Sequence, residues 1–585
     1  MEMEFYKVRK VIIAGAVVAA GAVGYMVSQP GGEGGSAAYS PLAYVPADTV
    51  LFSGQMEAFP LKEYLQSTTF AQAKVPNDFL EELDDENEPK QSFLASLVKS
   101  YFQGMNTPAE FQKTFALPDE IKAFVYAVGF MPVMRYQVTD AKSFWAVLDK
   151  AELESGFKHE ARTIKELQYR AYVFENNEKG EKFELVAAVE NGWATWSINT
   201  HANTPADLAL ALAQEKPTAS LKDAGVLESI QKKHGFVKTS LSYIDHQGLV
   251  KAFTTANGNA LATMITKAME VDGDKDGLAE VRTAECQAEM GAIAANWPRT
   301  VIGMRSKDDM KITATHTYMK AAMVFESNNK VVLDALTSMQ GFIPSYLGKA
   351  QVFGMGLGID ANKLSPALSS IWSNMLEPTY KCAPLVEMQS STRAANPAAL
   401  AMFTGMAQGV KGVAMGIQDF SLNMEGPEPQ LNSLDAIVSL TAENPAVLFN
   451  MAKTFAPPLA HIQLPQDGSA VDLSTMLPIP PEVNVQPMLA VKGKHLVIYN
   501  GDKGAAIADA LGKEDAVSNG LFNFSMDYKK MLAPVVPILE MSGDPEMTEQ
   551  LQMLKNMDMR VKMDINLNAQ GIELMSEADI AAPAK

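Results

Sequence analysis

Met557-Asp-Met-Arg-Val-Lys-Met-Asp-Ile-Asn-Leu567 alternates apolar and polar residues without a break. A period of two sends alternate side chains to opposite faces, so the stretch reads as a half-buried antiparallel strand, apolar face inward and polar face wet. Asn568-Ala569-Gln570-Gly571 then turns the chain into a second run, Ile572-Glu-Leu-Met575. Elsewhere strand-like runs lead into helical patterns, such as Leu364, Leu368, Ile371 and Trp372. The expected fold class is α+β, with curved antiparallel sheets carrying helices on one face.

Self-similarity sets the organisation. The hairpin Leu185-Val-Ala-Ala-Val-Glu-Asn-Gly-Trp-Ala-Thr-Trp-Ser-Ile198 resembles Pro487-Met-Leu-Ala-Val-Lys-Gly-Lys-His-Leu-Val-Ile-Tyr499, with Ala188 on Ala490 and Val189 on Val491. Val138-Thr139 matches Leu440-Thr441 at the same separation of 302 positions, and Glu57 matches Asp360 at 303. The chain therefore reads as a tandem duplication of two similar halves, 44–345 and 346–585. The second is shorter and trimmed in its last part. Four strand-like runs end in an acid: Val50 to Glu57, Val237 to Asp245, Val352 to Asp360 and Leu521 to Asp527. Each acid precedes by four an apolar residue that opens a helical pattern: Leu61, Leu249, Leu364 and Met531. An acid at that junction caps the helix by accepting a backbone N–H, which explains the four better than a shared active site does.

The chain has 585 residues, 49 basic and 68 acidic, for a formal net charge of −19. That length exceeds one ordinary core, and the acidic balance excludes a nucleic-acid partner, which would need clustered cations. Two cysteines cannot build a zinc or iron–sulfur site alone. Lys7, Arg9 and Lys10, in a basic segment 1–10, precede an uncharged run from Val11 to Val27. As a helix that run is about 26 Å long, near the lower limit for a membrane span. Basic residues stay cytoplasmic, so the bulk of the chain is expected in the periplasm behind a single inner-membrane anchor, 11–27. Cleavage after Ala20-Gly21-Ala22 is the rival reading, but Val23, Tyr25, Met26 and Val27 carry the apolar run past it. A glycine-rich linker, 28–43, tethers the rest.

Pro46-Ala47-Asp48-Thr49-Val50-Leu51-Phe52, followed by strand–acid–helix units, resembles a family of uncharacterised bacterial envelope proteins. Those proteins have a signal or anchor segment, a Pro-Ala-Asp-Thr opening and a repeated α+β domain. The resemblance implies compartment and fold and carries no activity.

Asp272-Gly273-Asp274-Lys275-Asp276-Gly277-Leu278-Ala279-Glu280 matches the first half of a calcium loop. Alternating carboxylates converge on a hard cation, and Gly277 allows the turn. Asp272, Asp274, Asp276 and Glu280 are the candidate ligands, although the twelfth position is Thr283 rather than a bidentate Glu. The competing reading is a solvated acidic turn between helices. Met553, Met557, Met559 and Met563 could bind Cu(I), but core packing explains them without a metal. His-Glu-x-x-His, Gly-x-Ser-x-Gly and phosphate-loop patterns are absent from the sequence, and Asp245-His246 in a strand would point to opposite faces. Cys286 and Cys382 are expected to form a disulfide, since export permits oxidation and two cysteines allow one intramolecular pairing. The expected function is a membrane-tethered, non-catalytic binding, scaffold or chaperone-like protein of the bacterial envelope. Its partner would be an envelope protein, lipid or glycan. The alternatives are a tethered hydrolase and a calcium-dependent adhesion protein.

Overall fold

A computed structural model describes residues 40–67, 88–105, 107–176, 181–273, 276–349, 352–394, 407–423, 430–455, 459–474, 476, 485–537 and 558–581. The expected anchor, 11–27, lies outside them. Among the described residues no helix is long and apolar enough to cross a membrane. The chain forms two compact units, dividing at Glu326 rather than at residue 345. Tyr380–Leu385 belongs to the first, and Ser327–Thr379 with the chain from Val386 onward forms the second.

Unit 1 contains β1 (Leu51–Gln55), β2 (Ala123–Val128), β3 (Met131–Gln137), β4 (Glu160–Ile164), β5 (Leu167–Asn176), β6 (Glu181–Glu190), β7 (Trp193–Thr200), β8 (Ser240–Asp245), β9 (Arg299–Gly303), β10 (Met310–Thr313) and β11 (His316–Glu326). Every pairing is antiparallel, in the order β4-β5-β6-β7-β3-β2-β1-β8-β9-β11, and β10 pairs with the first part of β11. The helices Pro89–Met105 and Ala141–Ser155 cover one end of the sheet, burying Phe93, Phe144, Leu148 and Tyr172. The second of these starts where Asp140 accepts the Ser143 N–H at 2.7 Å.

Unit 2 contains β12 (Phe353–Leu357), β13 (Val410–Asn423), β14 (Gln430–Ala442), β15 (Val471–Asp472), β16 (Met488–Lys492), β17 (His495–Asn500), β18 (Phe522–Asp527), β19 (Asp558–Asn568) and β20 (Gly571–Ala581). Its order is β15-β16-β17-β14-β13-β12-β18-β19-β20, again antiparallel. On one face Phe342, Tyr346 and Leu347 pack with Ala508 and Leu511 of the helix Gly501–Leu511. At the β15 end Phe449, Ile462, Leu473 and Leu489 form a second cluster.

The two strand orders coincide over eight strands: β6-β7-β3-β2-β1-β8-β9-β11 and β16-β17-β14-β13-β12-β18-β19-β20. Registers coincide as well. Asn191-Gly192 turns β6 into β7 with both residues at positive φ, as a two-residue hairpin requires. Gly493, also at positive φ, begins the turn from β16 to β17. Val138 N–H meets the Gly192 carbonyl, and Ala442 N–H meets that of Lys494, both at 2.9 Å. Val138 thus corresponds to Ala442, so the expected match of Val138-Thr139 with Leu440-Thr441 is two residues out of register.

The β19 expectation needs a larger correction. Of its described apolar residues Leu567 alone is buried: Met563 is 37% exposed, and Met559, Val561 and Ile565 are half-buried. The polar row is held by partners instead, with Asp558 on Lys529, Arg560 on Asp527 and Lys562 on Glu577. Alternation fixed the strand but could not say which face the helices would cover.

Candidate functional site

Three of the four strand-end acids cap helices. Asp245 accepts the Gln247 N–H at 3.1 Å, Asp360 that of Asn362 at 3.0 Å and Asp527 that of Lys530 at 3.0 Å. Glu57 is the exception: its helix begins at Leu61 behind Pro60 with no side-chain cap, and Glu57 pairs with Lys307 at 3.4 Å. Asp245 and His246 do not act as a pair, since His246 bonds to the Trp297 carbonyl and to Thr300.

Asp245 and Asp527 occupy the same place in their units. Their N–H groups meet the carbonyls of Val50 and Val352, at 2.8 and 3.0 Å. An arginine lies opposite each on the next strand, Arg299 and Arg560. Arg560 binds Asp527 at 3.0 Å, whereas Arg299 binds Glu326 at 3.1 Å. Replacing Asp527 with Asn should keep the cap but lose the ion pair; Asp527→Ala should lose both. The alanine variant is expected to be less stable than the asparagine variant by about 1 kcal/mol in urea titrations.

Two buried carboxylates anchor unit 1. Glu326, with no side-chain exposure, binds His234 at 2.6 Å, Lys233 at 2.9 Å and Arg299 at 3.1 Å. Burial pushes its pKa up, but these hydrogen bonds and charges prevail and hold it at about 2. Glu152 takes a bond from His159 at 2.6 Å and from the Tyr172 hydroxyl at 2.8 Å, and Arg170 approaches at 3.3 Å. Arg170 in turn lies over the Trp145 ring, 4.5 Å from its centroid. Both clusters tie helices to strands.

The candidate calcium ligands are not gathered among the described residues. Asp272 ends the helix Ala260–Asp272, with Gly273 at positive φ as its C-cap. Asp276 and Glu280 are exposed. Asp274 lies outside the described residues, as does the Asp272 side chain. Among the described residues no three His, Cys, Asp or Glu side chains are grouped to hold a metal. Of the four methionines, Met559 and Met563 stand on β19, while Met553 and Met557 lie outside the described residues.

Cys286 and Cys382 form the expected disulfide, with Cα atoms 4.6 Å apart. Both are buried in a cluster with Leu385, Met290, Ile293 and Tyr380. The Glu289 carboxylate accepts the N–H groups of Lys381 and Cys382 beside it. Tyr380–Leu385 belongs to unit 1, so both cysteines lie in that unit.

Sequence reasoning missed a continuous apolar row on the unit 2 sheet. Ile498, Val438, Met415, Met355, Phe524 and Met563 are successive register partners across β17, β14, β13, β12, β18 and β19. Ile498 is 41% exposed, Val438 52% and Met355 40%. The matching row in unit 1 is Trp196, Met134, Val125, Ser53, Ser242 and Ile302. There two serines replace Met355 and Phe524, their hydroxyls bonded at 2.6 Å. The sequence signal was the near absence of polar residues from both faces of Phe353–Leu357, unlike a strand with one wet face. Comparison with family models, with curated proteins and with solved structures finds no match to this chain.

Proposed function

We propose that the chain is a membrane-tethered, non-catalytic binding or scaffold protein of a bacterial envelope, with its bulk in the periplasm as a tandem duplication of one α+β unit. The observation that carries this reading is the common order of eight strands, with matching registers across the central six. Corresponding strands are 302 positions apart at β1 and β12 and at the hairpins, and closer together in the later strands, as a trimmed second copy requires. What the copies share is architecture: the capping aspartates, the arginine opposite them and the hairpin turn. Two copies of such a unit supply two related surfaces rather than one converging reaction centre. The Val11–Val27 run and the Pro46–Phe52 resemblance support the compartment.

The test is isolation of the full chain from membranes after crosslinking in intact cells. A stoichiometric protein, lipid or glycan partner, with the N-terminal segment retained, is expected. A mature protein starting at Val23, or turnover of an envelope polymer by the purified chain, would contradict the reading. Modest calcium binding by Asp272, Asp274, Asp276 and Glu280 is part of the same proposal, supported by the alternating carboxylates and Gly277 in the sequence. Calorimetry should find one site, weakened by Asp274→Ala; no heat at millimolar calcium would leave a solvated acidic turn.

A further inference from the structure

We infer that unit 2 carries an acid-responsive latch: His495, buried as a neutral ring, holds the loop 512–515 to the sheet and lets it go on taking up a proton. This goes beyond the binding reading above and does not depend on it. His495 opens β17, with Thr441 of β14 and Lys492 of β16 as its register partners. It has no solvent exposure, and the Phe342 ring packs against it with centroids 5.4 Å apart. The two ring nitrogens fix the tautomer. Nε2 stands 3.3 Å from the Glu514 carbonyl, which can only accept, so Nε2 carries the hydrogen. Nδ1, 2.9 Å from the Thr441 hydroxyl, then accepts from it. Thr441 is 1% exposed, and among the described residues its hydroxyl has no other partner.

A second proton has to enter at Nδ1. The Thr441 hydroxyl must then turn to accept, and its own hydrogen is left buried without an acceptor. The ring also gains a charge away from water. Among the described residues the charged and titratable groups packed around it are already engaged or neutral. Lys492 pairs with Asp509 of the helix Gly501–Leu511, Ser345 holds the Glu514 carboxylate, and burial keeps Tyr346 un-ionised. Burial accordingly holds His495 below the ordinary histidine value, and the Glu514 carbonyl and carboxylate offset this only in part. The neutral ring therefore contributes fully above about pH 6.5, where an unfolded histidine titrates, and its contribution is lost as pH falls below that. Of the ring's two attachments Thr441 lies in the sheet and Glu514 in the loop 512–515, one wall of a cleft of about 460 Å³ that Glu443 and Lys494 also line. Hydration of the charged ring comes from the loop side, so the loop gives way and the cleft widens. Unit 1 supplies the internal comparison. Trp193 holds the corresponding place at the start of β7, after the equivalent hairpin. His234 faces the Glu326 carboxylate at 2.6 Å, which balances a proton, and half-buried His246 is open to water. The latch therefore belongs to unit 2.

The experiment uses the full chain and follows backbone hydrogen exchange by mass spectrometry between pH 7.5 and pH 5, corrected for intrinsic rates. Opening at 495–497 and 512–515 should rise severalfold as pH falls, with about thirtyfold as the ceiling for one histidine of ordinary unfolded pKa. The helix Val226–His234 of unit 1 should show no such rise. His495→Gln, whose amide donates to Glu514 and accepts from Thr441 at every pH, should flatten the response. An equal rise in that variant, or no rise in the wild type, would overturn the proposal. Exchange of the imidazole C2 hydrogen reads the titration of His495 itself and needs no variant. It should fall below the titration of the same histidine in urea; a value at or above that in urea would overturn the latch even if His495→Gln fails to fold. Absence of a membrane tether or of a binding partner would defeat the broader reading and leave this result standing.

Discussion

Replacing Glu326 with Ala is expected to destabilise unit 1 by about 3–5 kcal/mol, the usual cost of removing one partner from a buried ion cluster. The carboxylate has no solvent exposure and binds His234, Lys233 and Arg299. His234 is itself 1% exposed, so deleting the acid leaves its ring N–H without an acceptor and without water. Glu326→Gln should cost less, because the amide oxygen still accepts one bond, though the charge is gone. The pH dependence follows from the lowered pKa of about 2. The unfolded chain's glutamate titrates near 4.3, so above that the cluster contributes fully, and its contribution fades as pH falls toward 2. Urea titrations between pH 7 and pH 3 should show wild type losing more stability than Glu326→Gln. Equal losses would mean that Glu326 is not the ionised centre of the cluster.

Loss of the disulfide is expected to cost up to about 4–5 kcal/mol, the chain-entropy value for a loop of order 100 residues. Cys286 and Cys382 are 96 positions apart, and the bond is buried. The double Cys→Ser variant should therefore unfold unit 1 at lower urea. It should also loosen the strap Tyr380–Leu385, which among the described residues is then held by the three Glu289 contacts and a small apolar cluster. Glu289→Gln in the intact protein should loosen the strap by far less, because an exposed hydrogen-bond acceptor contributes about 1 kcal/mol. A double Cys→Ser variant with unchanged urea midpoint would show that the packed strap, not the bond, sets stability.

The fold was partly legible because some of its determinants are local. Alternation along 557–567 and the Asn191-Gly192 turn both gave strands where strands stand, since pleat and turn chemistry depend on neighbours in sequence. Capping by Asp245, Asp360 and Asp527 was legible for the same reason. Glu57 misled because its spacing to Leu61 imitates a cap, while Pro60 and the lysine at 307 decide otherwise. Non-local features were not legible. Glu326 lies 92 positions from His234, and nothing in either neighbourhood announces the other. The direction of the β19 faces was also hidden, because helix placement decides it. The Met355 row is assembled from six strands spread between residues 353 and 568, so only the pairing reveals its continuity.

Native-state hydrogen exchange of the full chain, read by mass spectrometry with and without reductant, tests most directly that the chain is two cooperative copies of one unit. Two cooperative openings are predicted, with Tyr380–Leu385 exchanging alongside unit 1 although its sequence neighbours on both sides belong to unit 2. Reductant should lower the opening free energy of unit 1 and leave that of unit 2 unchanged. A single opening of the whole chain, or exchange of Tyr380–Leu385 with unit 2, would contradict the account.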